Sequence, residues 1–226
     1  MELKTIAKIN TAHKEKFGIP RQSGMVELPA KIVFEPEYRD INAVRGLEGY
    51  SHIWVLWHFS KVKQEAFQPT VRPPRLGGNK RMGVFATRSP NRPNPIGLSC
   101  LKLEKVEITK HEGPVLLVSG ADILDGTPIF DIKPYITFSD SRPNAVCGFS
   151  EDYKEYKLKV EIDEEKLILI EENFRKPIIV LLACDPRPSY QNDPERIYGL
   201  LVSGYSIKFT VFNGILTVKE VIKESN

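Results

Sequence analysis

The 226-residue chain is 41% hydrophobic and 27% charged, which is typical of a globular protein with one large domain, or a main domain and a small appendage. Its net charge of +3 does not by itself indicate a nucleic-acid-binding protein. Because no apolar run could span a bilayer, no signal-peptide core is present and the three cysteines are isolated, we expect a cytoplasmic protein with reduced core thiols and no membrane partner.

The first part of the chain predicts a series of short β-strands. Alternating and apolar runs separated by Gly and Pro predict strands at residues 3–9, 31–34, 52–59, 82–87, 97–108, 114–120 and 129–138. A short helix is expected immediately before the third of these strands. Short strands at this spacing favour a barrel or a sandwich over repeated β–α units.

The pattern changes near residues 147–151. Asp163 is a candidate N-cap for a helix whose apolar residues follow at roughly helical spacing. A second helix is expected to begin at Pro177 and to end in the segment 184–188. We therefore predict a mainly β body over residues 1–148, followed by a small α+β domain.

The small domain, residues 149–226, contains the clearest local signal in the sequence. Asn213 and Gly214 lie between two runs of alternating β-branched residues. This arrangement predicts a two-residue β-hairpin turn.

The stretch from Ala66 to Leu103 contains basic residues but no Asp or Glu. Its side chains could contact phosphates, because Arg and Lys gain affinity for a polyanion through counterion release, and Gly77-Gly78 would let the loop adapt to a shaped RNA. The alternative is a solvated loop whose acidic partners come from elsewhere in the fold. The candidate phosphate-binding residues are Arg72, Arg75, Lys80, Arg81 and Arg92.

Three prolines follow one another closely within the segment from Arg88 to Leu98. Each proline fixes φ, removes a backbone donor and holds the preceding residue extended. The resulting stiff segment has carbonyls without sheet partners, which must bond to water or to a ligand. It is either a rigid connector between strands or a preorganised pocket wall.

A turn at Asp125-Gly126 lies among three carboxylates, those of Asp122, Asp125 and Asp131. The segment is either a hairpin with Asp-capped turns or a place that holds a cationic ligand. Its carboxylates are too widely spaced for a calcium loop, and the four histidines lack ligand spacing, so no metal is expected. The motifs of the common hydrolases, nucleoside triphosphatases and dinucleotide-binding enzymes are also absent from the sequence.

Two prolines flank Arg187 at the expected end of the second helix, with Tyr190 close by. The segment is either a structural helix stop or a site that offers an arginine and an aromatic ring to a nucleotide.

Several of these segments together resemble the TsaA/YaeB family, also called TrmO. The resemblance lies in KFGIPRQ (16–22), GLEGYSHIWVLWHF (46–59), GVFATRSPNRPNPIGLS (83–99) and DILDGTPIFDIKPY (122–135). The segment DPRPSYQ (185–191) and the residues after it are similar to the C-terminal appendage of the bacterial members, so the resemblance covers nearly the whole chain.

The resemblance implies a tRNA methyltransferase that uses S-adenosylmethionine and has an all-β barrel in place of a Rossmann fold. It also implies a homodimer with the cofactor near the subunit interface. The expected substrate is threonylcarbamoyladenosine at position 37 of threonine tRNA, beside the anticodon, methylated on N6. By motif match, the cofactor site would contain Pro20, Arg21, Gln22, His58, Phe59, Arg88, Leu98, Leu124, Asp125, Gly126 and Thr127.

The expected contacts with the anticodon stem-loop come from the basic stretch and from the C-terminal domain. The candidates are Arg72, Arg75, Lys80, Arg81, Arg92, Arg187 and Tyr190. Asp125 or His58 could accept a proton from the substrate, and the sequence does not decide between them. The alternative to an enzyme is a non-catalytic RNA-binding or regulatory module with the same barrel. A small-molecule hydrolase is less favoured, because no nucleophile–base pair is evident.

Overall fold

The computed structural model describes residues 2–62, 66–76, 80–187 and 193–224 of the chain. Within these ranges the chain forms twelve β-strands: β1 (Ala7–Asn10), β2 (Pro29–Phe34), β3 (His52–His58), β4 (Thr70–Val71), β5 (Met82–Gly83), β6 (Ile96–Thr109), β7 (Gly113–Ser119), β8 (Thr127–Pro134), β9 (Lys159–Glu161), β10 (Tyr198–Val202), β11 (Tyr205–Phe212) and β12 (Ile215–Lys223). The α-helices are α1 (Thr137–Asp140), α2 (Glu164–Leu167) and α3 (Glu172–Ala183). None of the helices in these ranges is both long and apolar enough to cross a membrane.

Six of the strands close into an antiparallel barrel in the order β1-β2-β7-β6-β3-β8. Strand β3 shows why the sequence folds this way. Its alternate residues Ile53, Val55 and Trp57 are buried in the barrel core, while the residues between them are partly exposed. The predicted mainly β fold with a barrel is confirmed.

Two of the predicted strands are shorter than the sequence pattern suggested. The strand expected at 82–87 ends at Gly83, and a 3-10 helix, Val84–Ala86, follows because the N–H and the hydroxyl of Thr87 both donate to the carbonyl of Val84. The strand expected at 129–138 is β8, which ends at Pro134. Beyond it the carboxylate of Asp140 accepts a hydrogen bond from the N–H of Ile136, and the chain turns into α1.

The elements before β3 also differ in detail from the prediction. The first strand occupies Ala7–Asn10 and not residues 3–9. The short helix expected before β3 is a series of three 3-10 turns, Pro36–Tyr38, Ile41–Val44 and Leu47–Gly49. The second of these turns is capped by Asp40, whose side chain accepts a hydrogen bond from the N–H of Asn42.

The C-terminal residues form a four-stranded sheet in the order β10-β11-β12-β9, in which β9 runs parallel to β12. The predicted hairpin between β11 and β12 is confirmed. Asn213 and Gly214 have φ angles of +47° and +77°, which a two-residue turn between twisted strands requires.

The helices of the C-terminal region depart from the prediction. Asp163 precedes α2, but its carboxylate pairs with Lys166 and makes no capping bond, and the helix ends at Leu167. Pro177 lies inside α3 and does not begin it. The buried face of α3, formed by Ile178, Leu181 and Leu182, holds this helix against the sheet in spite of the missing proline donor.

The hydrophobic residues gather in two clusters, one inside the barrel and one between α3 and the C-terminal sheet. Val26 and Leu28, which precede β2, belong to the second cluster, and Phe17 packs against it. The segment between β1 and β2 therefore leaves the barrel and contacts the C-terminal sheet. It carries Pro20 to Gln22 along this path.

Candidate functional site

A cavity of about 600 Å³ opens at the end of the barrel where β3 ends and where β6 and β8 begin. Its wall comes from four segments: the loop after β1, the end of β3, the proline-rich loop before β6 and the turn before β8. Nine of the eleven predicted cofactor residues line it: Pro20, Arg21, Gln22, His58, Phe59, Arg88, Leu98, Leu124 and Thr127. Residues that are distant in the sequence therefore meet around one space.

The other two predicted cofactor residues, Asp125 and Gly126, are outside the lining of this cavity. The Asp125 carboxylate accepts hydrogen bonds from the N–H of Thr11 at 2.8 Å and from Nζ of Lys14 at 2.7 Å. The N–H of Gly126, whose φ is +72°, donates to the carbonyl of Ile9 at 2.8 Å. This turn therefore fastens the end of β1 and the segment after it, which continues into the cavity wall at Lys16.

Among the described residues, the cavity lining is strongly basic and contains a single carboxylate, that of Asp122. The basic side chains of the lining are Lys16, Arg21, His58, Lys61, Arg88 and Arg92. Burial raises the pKa of the Asp122 carboxyl above its ordinary value, although a hydrogen bond from Ser99 and the charge of Arg88 oppose that rise. The sequence pattern pointed to Asp125 in this turn, whereas the fold directs Asp122 toward the cavity.

A hydrogen-bonded chain connects Asp122 to an aromatic wall of the cavity. The hydroxyl of Ser99 donates to Oδ1 of Asp122 at 2.6 Å, and Nε1 of Trp57 donates to the same hydroxyl oxygen at 2.9 Å. The ring of Trp57 lies 4.2 Å from that of Phe59, centroid to centroid. Trp57 lines the cavity and was not predicted as a site residue, although its place two residues before Phe59, at the end of β3, could have indicated it.

The proline-rich loop is held in shape by Arg92. Its guanidinium donates to the carbonyls of Thr87 at 2.8 Å, Val84 at 3.4 Å and Ser89 at 3.4 Å. Of these three carbonyls, that of Ser89 lies in the segment from Arg88 to Leu98 whose carbonyls were predicted to lack sheet partners. The half-buried side chain of Arg92, predicted as an RNA contact, is thus bonded within the cavity wall.

The loop is joined to the facing wall at two further points. The carbonyl of Pro95 accepts a hydrogen bond from the N–H of Phe59 at 2.9 Å. The guanidinium of Arg88 donates to the side-chain oxygen of Gln22. The proline-rich loop is therefore bonded both to the residue after β3 and to the loop after β1, across the cavity.

An open groove of about 1560 Å³ adjoins the cavity, and the two share Arg21, Gln22, Thr87, Arg88 and Pro90. Two of the predicted RNA contacts, Arg72 and Arg81, line the groove. Lys80 is exposed but is not part of the lining, and the side chain of Arg75 and the whole of Tyr190 lie outside the described part of the chain.

Two aromatic rings stand at the groove beside these cations. The side chain of Phe85 lines the groove and is 72% exposed, and that of Phe67 is 53% exposed. Their rings are stacked with centroids 6.3 Å apart. A basic groove with an exposed aromatic ring is the arrangement that single-stranded nucleic acid recognises through phosphates and bases together.

The structure corrects the prediction for Arg187. This residue is buried, and its guanidinium donates to both carboxylate oxygens of Asp185, at 2.9 and 3.0 Å. Arg21 contacts the same two residues: its guanidinium donates to the backbone carbonyls of Asp185 and Arg187 at 3.3 Å each. Arg187 thus supports the cavity loop from the C-terminal domain and is not exposed for RNA.

The described residues contain no group of three or more histidine, cysteine or acidic side chains arranged to hold a metal ion. The three cysteines are free thiols. Cys184 is buried as predicted, Cys100 is half-buried, and Cys147 is exposed, so only the first is a true core residue.

Comparison with protein-family models identifies two matched regions. The model of the tRNA-methyltransferase O N-terminal domain matches residues 8–141, and the model of the TrmO C-terminal domain matches residues 155–224. Together the two regions include the barrel, the cavity and the C-terminal sheet.

Individual relatives agree over most of their length. The tRNA (adenine(37)-N6)-methyltransferase of Escherichia coli strain K12 is 38% identical over 220 residues, which cover 93% of each chain. The enzyme of the same name from Eikenella corrodens is 46% identical over 175 residues, 76% of this chain and 97% of its own. The crystal structure of TrmO from Pseudomonas aeruginosa matches this fold with a TM-score of 0.76 at 30% identity, over 98% of both chains.

Proposed function

The chain belongs to the TrmO family of tRNA methyltransferases, and on that premise we propose that it methylates N6 of adenosine 37 in tRNA with S-adenosylmethionine. The observation that carries this proposal is the meeting of nine motif-matched residues around one cavity next to a basic groove. The cavity accommodates the methyl donor, and the groove accommodates the anticodon stem-loop.

The residues of the cavity fit the methyl donor. A volume of about 600 Å³ suits a nucleoside-sized ligand. The rings of Trp57 and Phe59 offer an aromatic surface to an adenine or a sulfonium, and Arg88 offers a charge-assisted bond to a carboxylate. When bound, S-adenosylmethionine supplies an electrophilic methyl group. The protein contributes by holding the acceptor nitrogen in line with that group and by excluding water.

The finer substrate is threonylcarbamoyladenosine in threonine tRNA. The resemblance to the family supports this choice, and so does the chemistry of the cavity mouth. The threonyl part of that nucleoside carries a carboxylate, and the lining supplies the cations Lys16, Lys61 and Arg21. Because its substrate is tRNA, the protein acts in the cytoplasm.

The active form is a homodimer. Leu98 supports this proposal, because it lines the cavity and is nevertheless 54% exposed. A second copy of the chain would cover this apolar rim and complete the wall, as the family resemblance implies. The molar mass in solution, measured by light scattering, tests the dimer independently of activity.

Two measurements test the proposed function. Calorimetric titration should show saturable binding of S-adenosylmethionine that weakens in Arg88→Ala. Nucleoside mass spectrometry should detect N6 methylation in tRNA that carries the threonylcarbamoyl group, and much less in an unmodified transcript. Absence of binding at millimolar donor, with tRNA still bound, would favour the RNA-binding module over the enzyme.

A further inference from the structure

We propose that Asp122 is the catalytic residue that accepts the proton of the acceptor nitrogen during methyl transfer. This inference rests on the proposed function and assigns a role that neither the sequence motifs nor the family match supplies. Asp122 provides the only carboxylate among the described residues that line the cavity, and it is half-buried and open to the ligand space.

The reaction requires a proton acceptor because of the nature of the nucleophile. The lone pair of N6 in an adenosine is delocalised into the ring, so this nitrogen attacks readily only as its proton leaves. In the balanced step, the proton passes from N6 to a carboxylate oxygen of Asp122, and the nitrogen electron pair forms the bond to the methyl carbon. The electrons of the broken carbon–sulfur bond stay on the sulfur of the neutral thioether product, and Asp122 later releases the proton to water.

The other candidates are less well placed for this role. Both oxygens of the Asp125 carboxylate are occupied, one by the N–H of Thr11 and one by Lys14, and the side chain lies outside the cavity lining. His58 lines the cavity, but its ring packs on Phe130 with centroids 5.6 Å apart. Asp122 needs no rearrangement to meet a ligand in the cavity.

The surroundings of Asp122 fix the carboxylate without neutralising it. Ser99 donates to Oδ1 and is itself held by Trp57, so the carboxylate is fixed in orientation. Burial raises the pKa of this carboxyl, which makes it a better proton acceptor than an exposed aspartate. The charged and titratable groups of the other lining segments that share the cavity with it are Lys16, Arg21, His58, Lys61, Arg88 and Arg92.

The main test uses the isosteric variant Asp122→Asn, with Asp131→Asn as the matched control on the barrel surface, where Asp131 pairs with Lys133. In Asp122→Asn the affinity for S-adenosylmethionine should stay within about threefold of the wild type, because the shape of the cavity and an oxygen acceptor for Ser99 remain. The single-turnover rate on modified tRNA at saturating donor should fall about 10²- to 10⁴-fold. Asp131→Asn should leave both quantities unchanged.

The dependence of the single-turnover rate on pH provides a second, independent test. The wild-type rate should rise as Asp122 loses its proton and then reach a plateau. In Ser99→Ala the carboxylate remains but loses a hydrogen bond that favours its charged form, so the midpoint of the rise should move to higher pH. A midpoint that does not move in this variant would overturn the proposal.

Two other outcomes would also reject the role of Asp122. A wild-type rate in a folded Asp122→Asn protein would show that another group takes the proton. A loss of donor affinity of tenfold or more, with the rate at saturation unchanged, would make Asp122 a ligand for the cationic donor instead. Failure of the proposed function would look different, since the wild-type protein itself would then transfer no methyl group to tRNA.

Discussion

The indole ring of Trp57 occupies the space that a side chain at position 97 would need. A Cβ atom built on Gly97 would lie 2.2 Å from Cε2 of Trp57, far inside contact distance. Trp57 is buried and its indole N–H is bonded to Ser99, so the ring could move away only by breaking that bond. A glycine is therefore needed where the proline-rich loop enters β6, and both residues line the cavity.

Replacement of Gly97 by alanine should damage the cavity as well as the fold. The overpacking is expected to cost about 1–3 kcal/mol of unfolding free energy. Displacement of Trp57 should also weaken S-adenosylmethionine binding. Urea denaturation and calorimetric titration measure the two effects.

Gly199→Ala is the matched control, because Gly199 is an exposed residue of strand β10 and a Cβ there meets no atom within 4 Å. It should change stability by no more than about 0.5 kcal/mol. Equal effects of the two substitutions would show that the contact with Trp57 is not the cause.

The buried pair of Asp185 and Arg187 should make stability depend on pH. Burial tends to raise the pKa of Asp185, but the bonds and charge of Arg187, together with the Tyr156 hydroxyl, lower it overall. A carboxylate with a depressed pKa stabilises the fold above the ordinary aspartate pKa of about 3.9, and this contribution is lost as pH falls through the folded-state pKa.

Asp185→Asn should therefore remove about 3–5 kcal/mol at neutral pH, because it leaves a buried guanidinium without its charge partner. The difference in unfolding free energy from the wild type should shrink as the pH falls below 4. Glu220→Gln, which breaks the exposed pair with Lys208, is the control and should cost at most about 1 kcal/mol. A difference that is constant with pH would contradict the assignment.

The strand pattern and the composition of the site were accessible from the sequence because they depend on local regularities. Alternation along β3 set which residues face the barrel core, and Asn213-Gly214 defined a hairpin by its backbone requirements alone. Motif matches brought together nine lining residues without any structural information.

The direction of individual side chains was not accessible in the same way. Asp122 and Asp125 lie three residues apart in the loop before β8, yet one lines the cavity and the other binds the segment after β1. The sequence suggested that Arg187 is exposed, because nothing in it showed that Asp185 would be its partner. Asp185 has a φ of +54°, and its carboxylate accepts a hydrogen bond from the Arg187 guanidinium. Such choices depend on long-range packing, which a single local pattern does not contain.

The exposed ring of Phe85 should contribute to RNA binding. Loss of one stacked base costs about 1–3 kcal/mol, so Phe85→Ala should weaken tRNA binding by roughly 5- to 150-fold. Phe212→Ala is the control, since Phe212 is 62% exposed on the C-terminal hairpin and is not part of the groove lining. Fluorescence anisotropy with labelled anticodon stem-loop measures both affinities.

Arg81 should act through charge alone, in contrast to Phe85. Arg81→Ala is expected to lower the slope of log affinity against log salt by about one unit, because one phosphate contact is lost. Phe85→Ala should leave that slope unchanged. If Phe85→Ala lowered the slope and Arg81→Ala did not, the phosphates would bind elsewhere than in the groove.

Arg92→Lys separates two roles that a basic residue in this loop could have. Lysine keeps the charge, but its ammonium nitrogen ends one bond short of Nη1, the single atom of Arg92 that donates to the carbonyls of Val84, Thr87 and Ser89. If Arg92 organises the cavity wall, the substitution should weaken S-adenosylmethionine binding by about tenfold. This corresponds to a loss of about 1.4 kcal/mol of binding free energy. If Arg92 were instead a phosphate contact, the retained charge would preserve tRNA affinity and donor affinity alike. Calorimetry with the donor and anisotropy with tRNA, performed on the same protein, decide between the two.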